Sequence, residues 1–274
     1  MNEPLAIDRA ALRNDIKRNA DFGMIDTDSG VGRTVLPGTE ANGRARSYLV
    51  NQMVTAELDV SVDAVGNITG RWTPQSCDGT ARPVAAGSHL DSVPMGGIFD
   101  GPLGVYGALE AVRTIQRSTL NVHRPIEVVC FTGEEGTRFA DGVLGSSLSA
   151  GKRSVEDALA LTDGETTLEA ALDDIGFHGD GRVNASNWDA WFEVHPEQSD
   201  VLEGAGLPVG IVSSITGTTR CHISIKGEAD HAGTTAMHER TDALAAASEF
   251  FLAVEDEANE IAAHDSKSAV ASVC

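Results

Sequence analysis

The stretch Ala85–Val105, AAGSHLDSVPMGGIFDGPLGV, constrains the fold more than any other part of the chain. An apolar strand runs straight into a glycine-rich loop bearing His89, Asp91 and Asp100, and an almost wholly apolar segment follows. Two later apolar runs end in the same manner. RPIEVVCFTGEEG delivers Glu134 and Glu135, and NWDAWFEVH delivers His195. In an α/β sheet the carboxyl ends of strands gather along one edge, where active sites form. The pattern therefore predicts three buried strands converging on one polar site.

Helical periodicity fills the intervals between the strands. Leu103, Tyr106, Leu109 and Val112 share one face of a helix over Leu103–Arg117. Amphipathic helices are expected at Asp8–Asn19 and at Thr39–Leu58, the latter entered after Pro37-Gly38. Ser154–Asp173 reads as two short helices. LDVSVDAVGNITGRW alternates around the turn signal Gly66-Asn67 and reads as short strands. Strands alternating with helices argue for an α/β fold with some parallel pairing.

Near Val209 the character changes. In TTRCHISIKGEAD, Cys221, Ile223 and Ile225 face one way and Arg220, His222, Ser224 and Lys226 the other, the pattern of a half-exposed strand. A long helix follows, with Leu244, Ala247, Phe251, Val254, Ala258 and Ile261 in one stripe. KSAVASVC then begins a further strand. The expected domains are 1–211, carrying the site, and 212–274, the first half of a second domain.

Charge and composition exclude several partners. Acids outnumber bases 41 to 20, a net charge of −21, which repels nucleic acid and anionic membranes. Of the basic residues only Lys17, Lys152, Lys226 and Lys267 are lysines. Such a surface suits high salt, where screening tolerates dense carboxylate. No run of eighteen apolar residues could span a membrane, and the N-terminus has no signal-peptide core. The default location is cytoplasmic. Cys77, Cys130, Cys221 and Cys274 are scattered without metal-finger spacing, and a structural disulfide is not expected there.

Each polar feature has a plain structural reading. An aspartate before a helix caps it, a Glu-Glu pair forms a solvated turn, and a strand-end histidine makes a hydrogen bond. Their recurrence at successive buried strand ends changes the balance, because burying that many carboxylates without a counter-charge is prohibitive. Histidine with carboxylates is a ligand set for zinc, and also for manganese or cobalt.

Four blocks carry a resemblance: GSHLDSVPMGGIFDGPLGV, FTGEEGTRF, EVHPEQSDVLE and GEADHAGTTAMHERTDAL. In that order they resemble signatures of the M20 metallopeptidase superfamily. They are most similar to its branch of amidohydrolases acting on N-carbamoyl amino acids, ureidopropionate and allantoate. The resemblance implies a zinc-exopeptidase-like catalytic domain, an α/β mixed sheet with helices on both faces, plus part of an α+β lid or dimerisation domain. It implies two divalent metal ions held by His89, Asp100, Glu135 and His195, with Asp100 bridging. One ion takes His89, Asp100 and His195, the other Asp100 and Glu135. Glu134 resembles the general base that takes a proton from the attacking water. Asp91 is grouped with the catalytic residues as the group orienting the His89 ring, against the simpler reading of a loop cap. His231 resembles a residue that reaches the partner subunit's site and stabilises the oxyanion, against that of a turn histidine. Gln198 resembles a substrate-contacting glutamine, whereas Arg240 and Asp242 read as a structural pair at a helix start.

Family members continue further than Cys274, to complete the second domain and supply one more metal-binding histidine. The expected function is hydrolysis of a linear C–N amide bond in a small carbamoyl or ureido substrate by a homodimer. Two alternatives stay open: an M20 aminoacylase or dipeptidase, and a truncated chain that binds metal without turnover.

Overall fold

The computed structural model describes residues 5–28, 30–77, 79–139, 142–215, 217, 219–264 and 270–271. The chain divides into two units, Met1–Ser199 and Asp200–Cys274.

In the first unit a five-stranded mixed sheet takes shape from β3 (Asp59–Val62), β4 (Ile68–Trp72), β5 (Val84–His89), β6 (Ile126–Phe131) and β9 (Ala190–Phe192), in the order β3-β4-β6-β5-β9. β5 runs parallel to both β6 and β9, while β4 is antiparallel to β6 and to β3. The centre of β5 is VAAG because space is short: a Cβ on Gly87 would sit 1.8 Å from the Val129 carbonyl oxygen. Three helices, α1 (Arg9–Ala20), α2 (Glu40–Thr55) and α3 (Pro102–Arg117), bury their apolar residues with one face of this sheet. Leu49 and Met53 of α2 join Val105, Tyr106, Leu109 and Val112 of α3 against Ile68, Val128 and Cys130. Asp8 caps α1 by accepting the N–H groups of Ala10 and Ala11, and Thr39 caps α2 through the N–H of Asn42.

The expected hairpin spans β3 and β4. Asp63 Oδ1 accepts from Val65 N and Asn67 N at 3.0 and 2.8 Å, and Gly66 takes φ +81°. A second hairpin, β1 (Met24–Thr27) with β2 (Gly30–Arg33), has no clear apolar alternation and was not expected. Beyond β6 lie α4 (Leu144–Ser149), α5 (Val155–Leu159) and α6 (Leu168–Asp174), with the short pair β7 (Thr162–Asp163) and β8 (Thr166–Thr167). Leu144, Leu148, Leu168 and Leu172 form a second apolar cluster there.

Two expectations about strands need correction. β9 is neither long nor fully buried: it ends at Phe192, itself 62 % exposed, before reaching His195. It pairs only with Val84–Ala86 of β5, and the chain then turns away as Ser88 Oγ donates to Glu193 Oε1 at 2.6 Å. The alternating segment 219–230 is not a strand: among the described residues no strand pairs with it, and the bond from Glu228 N to the Thr241 carbonyl oxygen at 2.9 Å does not extend into a ladder. Alternation marks a two-faced segment, but a ladder needs a partner.

The second unit contains α7 (Val201–Ala205) and α8 (Ala243–His264). The predicted stripe lies on α8, yet none of its residues is buried. Asp242 caps α8 through the N–H groups of Leu244 and Ala245, whereas Arg240 donates to the carbonyls of His231, Ala232 and Thr235. The two residues therefore do not pair with each other. The strand expected at KSAVASVC falls almost wholly outside the described residues. Among the described residues, no helix is long and apolar enough to cross a membrane.

Candidate metal centre

β5 ends on His89, which is buried to 2 % exposure. Gly101 makes room for it. At φ +80° Gly101 adopts a left-handed conformation, and a Cβ there would lie 2.5 Å from the His89 carbonyl oxygen and 2.8 Å from two ring atoms. Gly101 is also the N-cap residue of α3, and no side chain caps this helix. Asp100 is thus not spent on capping.

The His89 ring is oriented through Asp91. Nδ1 lies 3.1 Å from the Asp91 carbonyl oxygen and 3.7 Å from its carboxylate, leaving Nε2 to face 3.6 Å to Glu134 and 3.8 Å to Asp100. The buried Asp91 carboxylate also spans to the loop after β6, accepting the backbone N–H groups of Glu134 and Glu135. His195 Nε2 is 3.2 Å from Asp100 Oδ1, and Gln198 Nε2 donates to Asp100 Oδ2 at 2.7 Å.

The ionisation states follow from this crowding. Burial pulls the His89 pKa down, but Asp100, Asp91 and Glu134 outweigh it and push it up to about 10. Burial would raise Asp91, yet His89 and the two backbone N–H groups hold it below its usual range. His89, then His195 and Gln198, likewise hold Asp100 low against burial. Glu134 and Glu135 move the other way, raised first by burial and then by neighbouring carboxylates, with His89 opposing.

The donor set fits a divalent cation. Asp100 Oδ1 is buried and accepts no hydrogen bond, although two imidazole nitrogens face it. A buried carboxylate oxygen without a donor is costly, and imidazole with carboxylate is a zinc-type ligand set. Ligand atoms of His89, Glu134 and Glu135 also lie within 4.8 Å of one another.

All six residues predicted for this site in the first unit, His89, Asp91, Asp100, Glu134, Glu135 and His195, are brought together, and Gln198 joins them through Asp100. His231 lies in the second unit, exposed, with its Nδ1 accepting the N–H of Gly233 at 3.1 Å. Two residues escaped sequence reasoning. Glu193, two positions before His195, anchors the strand exit to Ser88. Arg33 lies fully buried beneath the site, and no motif surrounds it in GVGRTVLPGT.

Sheet and side chains together define a zinc-exopeptidase-like α/β fold that carries a histidine–carboxylate cluster. The model of peptidase family M28 matches residues 67–248, and the chain belongs to that family. The motifs had pointed to M20; the amidohydrolases they also pointed to are found among the relatives. The chain is 41 % identical over 247 residues to an N-carbamoyl-L-amino acid amidohydrolase of Geobacillus stearothermophilus, covering 88 % of this chain and 60 % of that protein. It is 37 % identical to a ureidoglycolate hydrolase of Arabidopsis thaliana, covering 92 % and 54 %. Its fold matches the crystal structure of a hydantoinase/carbamoylase family amidase from Burkholderia ambifaria with TM-score 0.77 at 38 % identity, covering 95 % of this chain and 63 % of that one. The chain thus spans little more than half the length of these curated relatives.

Proposed function

We propose that the protein of which this chain forms at least a part is a metal-dependent amidohydrolase of the carbamoylase branch of the M20 superfamily. It cleaves a linear C–N amide bond in an N-carbamoyl amino acid or a related ureido compound. The observation that carries this reading is the orphaned Asp100 Oδ1 between His89 and His195, with Glu134 beside the same imidazole.

His89, Asp100 and His195 are assigned to one divalent ion, and Asp100 with Glu135 to a second. Zinc is the first choice, with manganese or cobalt suiting the same donors. Such a pair, when bound, acidifies water and polarises the scissile carbonyl. Glu134 then takes the proton of the attacking water on a carboxylate oxygen and passes it to the leaving nitrogen. Asp91 holds the His89 ring and the glutamate loop in register. Gln198 is assigned to the substrate, reaching it from beside Asp100. Residues 212–274 are assigned to a lid and dimerisation domain, from which His231 stabilises the oxyanion in a partner subunit. A cytoplasmic homodimer is the assembly proposed.

The test is ammonia release from N-carbamoyl-L-amino acids with zinc or manganese. It is run on this chain and on a version with the extra length its relatives have. Turnover abolished by Glu134→Gln supports the reading. The M28 match favours a peptidase-like alternative, and activity on acyl amino acids or dipeptides but on no carbamoyl substrate would establish that instead.

A further inference from the structure

Arg33 closes β2, and its side chain is wholly buried. Among the described residues its guanidinium donates only to main-chain carbonyls. Nε reaches Gly97 at 3.3 Å, one terminal nitrogen reaches Leu90 at 3.0 Å, and the other reaches both Asp91 and Asp100 at 3.2 Å. Four of the five N–H donors of the group are thereby used. Among the described residues no carboxylate lies within 4.0 Å of it, so this is not an ion pair. The acceptors sit at both ends of the excursion from His89 to Asp100. The main chain adds to the tie: Arg33 and Gly96 exchange N–H···O bonds at 2.9 Å in both directions, and Val35 N donates to Ser92 Oγ at 2.9 Å.

Without such a tie the excursion, rich in glycine at Gly96, Gly97 and Gly101, would be free to widen. The planar fork spans two flanks at once, which a lysine ammonium cannot do. The charge matters too. Burial lowers the Arg33 pKa, while Asp91, Glu135 and Asp100 stabilise its cation, so the acidic centre carries a cation of its own on its inner side.

We infer that Arg33 is a positioning residue for the metal centre: it clamps the main chain at Leu90, Asp91, Gly97 and Asp100, so that His89 and Asp100 are held at ligating separation. The inference rests on the metal-site reading given above. It concerns the strength of metal binding before any turnover.

The experiment measures zinc affinity by competition with a chromophoric chelator, together with urea unfolding of the metal-free chain. Arg33→Lys and Arg33→Met are compared with Leu49→Ala, a core truncation on α2 that removes no hydrogen bond to the loop. Arg33→Lys is expected to weaken zinc binding by ten- to a hundredfold, the size of effect seen when groups supporting metal ligands are lost. Arg33→Met is expected to weaken it at least as much, and Leu49→Ala to change it less than twofold while folded. If neither arginine variant folds, Ser92→Ala, which removes the hydroxyl that accepts from Val35 N and donates to the Arg33 carbonyl oxygen, is expected to weaken binding severalfold. Unchanged affinity in Arg33→Lys, or in Ser92→Ala where that variant decides, overturns the inference. So does an equal loss in Leu49→Ala. An unaltered chain that binds no zinc overturns the metal-site reading itself, and this inference with it.

Discussion

Asp91 Oδ2 accepts the backbone N–H of Glu135 at 3.1 Å, while Oδ1 accepts that of Glu134 at 3.3 Å. One carboxylate thus ties the loop after β5 to the loop after β6. Asp91→Ala leaves both N–H groups without this acceptor and frees the glutamates to drift from His89. Loss of about 1–3 kcal/mol of unfolding free energy is expected, with zinc affinity down ten- to a hundredfold. Urea titration of the metal-free chain and chelator competition check the two effects separately. A variant as stable and as tightly metallated as the parent would show that Asp91 is merely a local cap.

Gly101 is required for two reasons, its positive φ and the His89 ring packed against it. Gly101→Ala is expected to destabilise the first unit by more than about 1 kcal/mol, since strain and overlap add to the usual cost of a left-handed alanine. It should also displace His89 and weaken zinc binding. By contrast Gly107→Ala, where a Cβ meets nothing within 4 Å and the helix of α3 continues, should be neutral or stabilising.

Alkaline stability follows from two buried acids and a half-buried one. Burial pushes the Cys130 thiol up to about 12 and raises the Tyr106 hydroxyl well above its usual value; Tyr48 is raised by burial and by Asp15. A folded-state pKa above the unfolded one gives stability that is complete below the unfolded value and is lost as pH climbs towards the folded value. His89, raised to about 10, adds an earlier loss, so unfolding free energy of the metal-free chain should decline from about pH 6.5 and more steeply from about pH 9 upward, near the unfolded thiol and phenol values. The same burial predicts that a disulfide-forming thiol reagent at pH 8 modifies the exposed Cys221 readily and Cys130 only after unfolding. Fast modification of Cys130 in a Cys77→Ser/Cys221→Ser/Cys274→Ser chain would contradict the buried placement.

The charge of −21 makes a separate prediction. Dense surface carboxylate repels itself, and salt screens that repulsion within about 10 Å at 0.1 M. Thermal unfolding followed by circular dichroism should shift upward as KCl is raised towards molar concentration. A chain fully folded at low salt, with no gain on adding KCl, would remove the case for salt adaptation.

How far the sequence disclosed all this depended on the range of each interaction. The helices α1, α2 and α3 and the strands β5 and β6 were legible because dense apolar patterning and capping residues act locally. The convergence of His89, Asp100, Glu134, Glu135 and His195 was legible because the loops leaving β5, β6 and β9 open at one sheet edge. β1 and β2 were not, since their pairing rests on register rather than on apolar alternation. Segment 219–230 has the alternation of a strand, but alternation alone does not supply a partner. Arg33 was hidden for a different reason. Its acceptors are carbonyls some sixty positions away, and carbonyls carry no residue-type signature.

The central claim is that a cation joins side chains from separate strand ends. Anomalous diffraction at the zinc edge from crystals soaked in zinc tests it most directly. The account predicts a peak bonded to His89, Asp100 and His195, about 2.0–2.2 Å from a nitrogen or oxygen of each. No peak there, with solvent separating the imidazoles of His89 and His195, would contradict it.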